Sequence, residues 1–226
     1  IRDFRKKNGY ISGEAKFQSV MEKCREIGTT EVIFSVKDTT GFALYPSAIA
    51  PHYAKYDSAF LPEKDYVEQC FSVIKGLGMK CFAAFDSFAG GNKEKPHPEM
   101  PAIAREGFAC TVYGLDKDGK AVLRESVSAE GLHTVGSIDD FGEIFLNPAK
   151  KEVRDYTLSL LREFVEHYHP DGIVLDRVRY VGLSTDFSEE SRKQWEKYSA
   201  VKDEKWPEDI YTIEKTAEGY REKAGK

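Results

Sequence analysis

Asp171-Gly-Ile-Val-Leu-Asp176-Arg-Val-Arg-Tyr180 is the stretch of sequence that decides the fold. Its apolar centre, Gly172–Leu175, has the length and the β-branched content of a buried strand. Because side chains alternate across a strand, Asp176 shares a face with Val174 and lies at the carboxyl end. A carboxylate followed by two arginines stays ionised, which suits a nucleophile or charge stabiliser, and it equally fits a structural ion pair.

The same order of amphipathic helix and apolar strand occurs three times. Apolar residues at helical spacing, bounded by glycine, proline or an N-capping asparagine, predict helices over Glu14–Ile27, Pro62–Leu77 and Asn147–Tyr168. Continuous apolar runs predict strands over Glu31–Val36, Met79–Phe85 and Gly172–Leu175. Strands of this kind, alternating with helices, are typical of a parallel sheet covered on both faces. The fold class is therefore α/β.

An aspartate follows each predicted strand: Asp38, Asp86 and Asp176. In parallel α/β folds the carboxyl ends of the strands carry the binding and catalytic groups. For Asp38 and Asp86 the alternative is an ordinary turn-forming role. With a further strand expected upstream of Ile1, the count predicts a TIM-type (β/α)8 barrel, of which residues 1–226 form roughly the first half as part of one domain.

A long strand-end insertion, residues 87–146, interrupts the repeating pattern. Two strand-like runs, Phe108–Tyr113 and Lys120–Arg124, flank Asp116-Lys-Asp-Gly119 and predict a hairpin. The four-residue turn faintly resembles a calcium loop, but the required ligands are missing, so a turn is expected. Insertions of this length are usually lids or binding loops, and we expect this one to cover the strand-end face.

Beyond Asp176 we expect only helix and no further buried strand. One helix is predicted over Ser188–Tyr198, with Trp195 packing beside Phe187 and Tyr198. The Glu/Lys-rich stretch from Pro207 is interpreted as a solvated helix face.

Composition excludes several classes of partner. The 226 residues carry a formal net charge of −5 with scattered basic residues, which provides no surface for nucleic acid. No apolar run is long enough to span a membrane. The first residues do not form a secretory signal, so export is neither indicated nor excluded.

The residues that could bind metal are dispersed. The four cysteines, Cys24, Cys70, Cys81 and Cys110, form no paired motif, and the first three lie in apolar patterns and are expected in the core. His167 and His169 lie on different faces of a helix end, so no metal and no cofactor are predicted. Gly90-Gly91-Asn92 lacks the following helix of a phosphate loop.

The opening stretch carries a family resemblance. Asp171–Asp176 resembles the fourth-strand motif of the α-amylase superfamily, whose last aspartate is the nucleophile. The longer run resembles the glycosyl-hydrolase-like family-ten (β/α) barrels, the α-amylase-like proteins of gut bacteria. The similarity covers nearly the whole chain and includes the segments Val36–Gly41, Leu44–Ser47, Phe145–Pro148, Glu152–Tyr156, Gly182–Ser188 and Trp206–Ile210.

The resemblance implies roles by position. Asp176 takes the nucleophile's place, and the strand-end positions that bind sugar hydroxyls are Asp38, Asp86, Arg177 and Arg179. Val174 stands where α-amylases have an arginine, so their mechanism does not transfer unchanged. The family's acid/base glutamate comes from later strands, and we expect it beyond this chain. Asp38, Asp86 and Glu143 are the candidates within it.

Aromatic residues in the strand-end loops could stack on sugars or simply pack: Tyr45, Tyr53, Tyr56, Phe60 and Phe88. The first functional hypothesis is a glycosidase that hydrolyses O-glycosidic bonds of a poly- or oligosaccharide, secreted, periplasmic or anchored at the cell surface. The alternative is a non-catalytic glycan-binding barrel. A weaker third hypothesis is a barrel enzyme that acts on phosphorylated metabolites.

Overall fold

The structure is a computed structural model that describes residues 13–116, 118–128, 131–132, 142–199 and 205–224. The helices are α1 (Gly13–Glu26), α2 (Tyr66–Gly76), α3 (Pro101–Ala104), α4 (Lys151–Tyr168) and α5 (Glu189–Ser199). The strands are β1 (Glu31–Lys37), β2 (Lys80–Asp86), β3 (Ala89–Asn92), β4 (Thr111–Leu115), β5 (Ala121–Glu125), β6 (Val127–Ser128), β7 (Gly131–Leu132), β8 (Glu143–Phe145), β9 (Gly172–Asp176), β10 (Tyr211–Thr216) and β11 (Gly219–Ala224). Lys117 and much of 129–141 in the predicted insertion lie outside these ranges, as does any strand upstream of Ile1.

The chain divides into two compact units. The first contains the described residues up to Ser87 together with Leu158–Asp176, and the second contains Phe88–Thr157 and the described residues from Arg177 onward. The chain passes from one unit to the other at three places: at Ser87–Phe88, within helix α4, and at Asp176–Arg177.

The first unit is built on a parallel sheet of order β1-β2-β9. Phe82 pairs with Gly172, and Asp86 pairs with Asp176 at the other end of the same ladder. This arrangement confirms the predicted α/β class. Within the described ranges the three strands form an open sheet, with no closed barrel.

Aromatic packing holds the helices of this unit on the sheet. Phe34 of β1 contacts Phe71 of α2, and Phe85 of β2 contacts Phe164 of α4, both edge to face. These rings are nearly fully buried, and each such ring removes a large apolar area from water. Helix α2 begins at Tyr66 rather than at Pro62, because Asp65 caps it by accepting a hydrogen bond from the Glu68 N–H at 2.9 Å.

The second unit consists of short antiparallel pairs. β4 pairs with β5, which confirms the predicted hairpin. Asp116 closes its turn by accepting hydrogen bonds from the backbone N–H groups of Asp118 and Lys120, each at 2.9 Å. Gly90 and Gly91 belong to β3, where an added Cβ would lie under 3 Å from the side chains of Leu146, just after β8, and Ile144, within β8. These glycines therefore permit close strand pairing.

The expectation of helix after Pro207 was wrong. The segment forms the antiparallel hairpin β10–β11, and Tyr211 and Ile213 on alternate positions of β10 are buried. They pack with Tyr113, Leu115 and Phe187 in one apolar cluster. Burial of this alternating face outweighs the helical propensity of the Glu and Lys residues beside it.

The predicted packing of Trp195 was also wrong. Its side chain is 42% exposed, and that of Tyr198 is 85% exposed. Trp206 contacts Phe187 instead, and its indole N–H donates to the Phe187 carbonyl at 3.1 Å. The core placement expected of the cysteines is confirmed for Cys70 and Cys81, while Cys24 is half-buried; Cys110 is buried as well.

None of the helices in the described part of the chain is long and apolar enough to cross a membrane.

Candidate functional site

The carboxyl ends of the three parallel strands bring together a strand-end cluster, defined as Lys37, Asp38, Asp86 and Asp176. Asp86 and Asp176 are direct register partners on neighbouring strands. The Ser87 N–H donates to the Asp176 carbonyl at 2.8 Å, so the backbone pairing continues past the strand ends. The two carboxylates are therefore carried by a fixed backbone frame.

Lys37 is the member of this cluster that the sequence analysis missed. The pairing of β1 with β2 shifts register between Ser35 and Lys37, and Val36 is skipped. Such bulges re-aim side chains next to functional sites. The Lys37 side chain is buried, and its ammonium donates to the Asp86 carbonyl at 2.6 Å. Alternation from the exposed Ser35 would place Lys37 on an exposed face, so no local pattern in the sequence indicated its burial.

The surroundings of Lys37 disfavour its charge. Burial lowers the pKa of the Lys37 ammonium to about 8, although the negative charges of Asp38 and Asp86 oppose the shift. A lysine in this condition loses its proton far more readily than an exposed one.

Asp38 begins a tight turn directly after β1. One of its carboxylate oxygens accepts hydrogen bonds from the Thr40 N–H, at 2.9 Å, and from the Thr40 hydroxyl. Gly41 completes the turn at φ +87°, a conformation that favours glycine. Burial raises the pKa of Asp38, and the Thr40 hydrogen bonds and the Lys37 charge only partly offset that effect. The turn-forming role considered for Asp38 is thus present in the structure.

Asp176 lies at the accessible end of β9. Its side chain is exposed, and Leu175 beside it is 50% exposed on the other face of the strand. At the opposite end, Gly172 lies against the Phe82 ring, where an added Cβ would be 2.6 Å from two ring carbons. Only glycine at that position lets β9 approach β2 in this register.

The predicted arginines belong to the second unit. Arg177 adopts φ +55°, a conformation uncommon for residues other than glycine. Its guanidinium forms an ion pair with Glu143 at 3.0 Å, and both side chains are mostly buried. The Arg179 guanidinium lies 5.6 Å from the Phe145 ring centroid. Both arginines therefore have partners within the second unit. The candidate acid Glu143 lies beside the permanent positive charge of Arg177.

Tyr45 is placed in the core. Its side chain is 1% exposed, and its ring contacts Phe164 and Tyr168 with centroids 5.1 and 5.4 Å away. Tyr53 and Phe60 are buried as well. A ring without exposed surface cannot stack on a sugar, so the structure gives Tyr45 a packing role.

A second polar cluster surrounds Asp186 in the second unit. Its carboxylate accepts hydrogen bonds from the Thr111 N–H at 2.6 Å and from the Asn147 amide at 2.7 Å. The hydroxyls of Ser188 and Ser191 donate to it at 2.5 and 2.7 Å. This set of five residues, the Asp186 cluster, joins three segments of the unit, and its members are buried or partly buried.

Three comparisons bear on these sites. No family model matches the chain. An S-layer-related protein of Niallia circulans is 27% identical over 202 residues, which cover 85% of this chain. The chain spans only 12% of that protein's length.

Two solved structures share the architecture. α-L-Fucosidase isoenzyme 2 from Paenibacillus thiaminolyticus matches 83% of this chain and 23% of its own length, with TM-score 0.53 and 17% identity. The fold is glycosidase-like. A hypothetical protein from Ruminiclostridium thermocellum matches 86% of this chain and 88% of its own, with TM-score 0.52 and 16% identity. At these identities the likeness concerns the fold alone.

Proposed function

We propose that the chain is part of a glycosidase that hydrolyses O-glycosidic bonds of a poly- or oligosaccharide. In this proposal residues 1–226 form the first half of a single (β/α)8 barrel domain, and 87–146 are its strand-end insertion. The likeness to a fucosidase domain supports the architecture. The S-layer-related relative supports a location at the cell surface.

The observation that carries the proposal is the pairing of Asp86 with Asp176 at the carboxyl ends of neighbouring strands. Adjacent parallel strands lie about 4.8 Å apart, so two carboxylates fixed in this way can bracket one sugar ring. Asp176 is the exposed member of the pair and is proposed as nucleophile or transition-state stabiliser. Asp38 and Asp86 are proposed to bind sugar hydroxyls, and Arg177 and Arg179 to contribute to substrate binding.

Hydrolysis by two carboxyl groups needs an acid as well as a nucleophile or base. The family resemblance assigns that acid to a glutamate on a later strand. We therefore propose Asp86 as a binding residue rather than as the acid. No described residue is assigned the acid's role.

The test is a panel of 4-nitrophenyl glycosides and reducing-end assays on mixed oligosaccharides, applied to the protein as the cell makes it. Asp176→Asn keeps the shape of the side chain and removes its charge, so kcat should fall by about 10³-fold or more. Asp171→Asn is the matched control at the other end of the same strand, where the side chain accepts a hydrogen bond from the Cys81 N–H. Equal activity in the wild type and Asp176→Asn would refute the assignment.

The second candidate is a glycan-binding barrel without hydrolysis. The match to one small part of an S-layer-related protein favours it, because that name states no enzymatic activity. It predicts retention on a glycan array with no release of reducing ends. Binding should then weaken in Asp176→Asn while no product forms in either protein.

A further inference from the structure

Lys37 is the only cation among the four residues of the strand-end cluster, and the proposed function above gives it no role. Three observations bear on it. The bulge at Ser35/Lys37 aims its side chain at β2, the side chain is 1% exposed, and the ammonium donates to the Asp86 carbonyl at 2.6 Å. A buried ammonium is costly unless it is paired and hydrogen-bonded.

The donor capacity of this ammonium exceeds that one bond. It has three N–H groups, and Asp38, the next residue in the chain, and Asp86 both exert an attractive charge on it. The carboxylate of Asp38 interacts in turn with Lys37, with Asp86 and with the Thr40 donors. One cation thus faces two of the three acids of the cluster.

We propose that Lys37 is a positioning residue, whose buried ammonium fixes the end of β2 through the Asp86 carbonyl and keeps the Asp38 and Asp86 carboxylates anionic and ready to accept hydrogen bonds from a ligand. The part that concerns a ligand rests on the proposed function. The effect of Lys37 on the charge of Asp38 and Asp86 does not depend on the proposed function, and it is measured separately.

Two buried acids in one cluster repel each other and resist ionisation unless a cation lies between them. Without Lys37, the Asp38 carboxyl group is expected to retain its proton to a higher pH. A protonated carboxyl group donates one hydrogen bond and loses part of its accepting capacity. Lys37 therefore acts through Asp38 and Asp86 and need not touch the substrate.

The experiment follows the aspartate carboxyl carbons by ¹³C NMR during a pH titration. Lys37→Gln keeps a donor for the Asp86 carbonyl and removes the charge, so the midpoint of Asp38 should rise by about one pH unit or more. Lys37→Arg retains the charge and should leave that midpoint nearly unchanged. Lys80→Met is the matched control, because Lys80 begins the neighbouring strand β2, where its side chain is 63% exposed and paired with Glu31.

An Asp38 midpoint that is the same in Lys37→Gln and in the wild type overturns the proposal. If Lys37→Gln does not fold, the wild-type chain supplies the deciding measurement. The Asp38 and Asp86 carbons should then show a second inflection near pH 8, where Lys37 loses its proton. The absence of that inflection overturns the proposal equally.

A second readout uses any 4-nitrophenyl glycoside that the wild type hydrolyses. Lys37→Gln should displace the acidic limb of its kcat/KM profile to higher pH, by about the same amount as the carboxyl midpoint, and Lys37→Arg should restore it. If no glycoside is hydrolysed, the proposed function fails and the carboxyl titration still decides the role of Lys37. An unchanged limb together with a displaced carboxyl midpoint overturns the ligand-related part.

Discussion

The strand-end cluster and the Asp186 cluster both contain buried polar groups. They differ in what stabilises the carboxylates: neutral hydrogen-bond donors in the Asp186 cluster and a buried lysine in the strand-end cluster. Asp186 has four donors supplied by the second unit itself, all of them neutral. In the first unit, Asp38 has the two Thr40 donors, and a lysine provides the balancing charge. Asp176 extends that cluster to an exposed position. The protein saturates the Asp186 carboxylate with internal donors, whereas the strand-end cluster combines a buried cation with one exposed carboxylate, that of Asp176.

This difference separates a structural role from a functional one. A carboxylate that accepts four internal hydrogen bonds stabilises its surroundings, because buried donors such as the Thr111 N–H would otherwise lose their acceptor. A group of acids balanced by one buried cation is less stable than it could be. Such arrangements are typical of sites selected for binding or catalysis.

The largest effect expected is on Asp186. Asp186→Ala removes the acceptor of four donors, of which the Asn147 amide keeps a second acceptor in the Ser188 hydroxyl, so at roughly 1 kcal/mol or more for each of the other three the free energy of unfolding should fall by about 3 kcal/mol. Urea denaturation measures the loss. Asp118→Ala, an exposed aspartate of the same unit, should change stability by less than about 0.5 kcal/mol. A similar small change in Asp186→Ala would show that the cluster is not structural.

Sequence reasoning succeeded where the decisive signal was local. The helices and strands of the first unit follow from apolar spacing, and the position of Asp176 at the end of β9 follows from the length of the apolar run before it. The pairing of Asp86 with Asp176 needed the sheet order, because β2 and β9 are separated by 85 residues of intervening chain. No pattern within either strand indicates that β2 and β9 are neighbours in the sheet.

The second unit was harder for a physical reason. Tyr211 and Ile213 do alternate, but two apolar positions among Glu and Lys residues are too few to distinguish a strand from a helix. Their contacts with Tyr113 and Phe187, about 100 and 25 residues earlier, decide the outcome. The donors to Asp186 likewise come from distant segments. Tyr45 was misplaced for the same reason: it lies in a loop near a strand end, yet contacts with distant residues bury it in the core.

The pH dependence of stability tests the charged character of the strand-end cluster. The pKa of Lys37 is about 8 in the folded chain and 10.5 in the reference state, so between these values the unfolded chain binds more protons at this position. The contribution of Lys37 to the free energy of unfolding therefore increases as pH rises. Between about pH 7 and about pH 9.5 that gain should be about 2 kcal/mol.

Comparison with Lys37→Gln isolates this contribution. Burial raises the pKa of Cys81 to about 12, which works in the opposite direction above the ordinary thiol range, and that effect is common to both proteins. Urea midpoints at several pH values give the difference between them. Parallel stability curves for wild type and Lys37→Gln would mean that Lys37 titrates as an exposed lysine, and the contrast between the two clusters would disappear.

The smallest effect concerns the frame that carries the cluster. Gly172→Ala puts a methyl group 2.6 Å from the Phe82 ring, so β9 or the ring must move, and the free energy of unfolding should fall by about 1.5 kcal/mol. Gly76→Ala is the control within the same unit, because Gly76 is helical and its added Cβ meets nothing within 4 Å. That substitution should stabilise by about 0.5 kcal/mol.

The two glycine variants also test whether the register of β9 matters for the site. A shift of β9 relative to β2 would move Asp176 away from Asp86, so Gly172→Ala should lower turnover or glycan binding by more than its loss of stability explains. Phe82→Leu combined with Gly172→Ala removes the clash, so this double variant should regain part of the lost stability and part of the lost turnover or glycan binding. If Gly172→Ala binds and reacts like the wild type at a temperature where both are folded, the Asp86–Asp176 pairing is a feature of the sheet and has no part in ligand recognition.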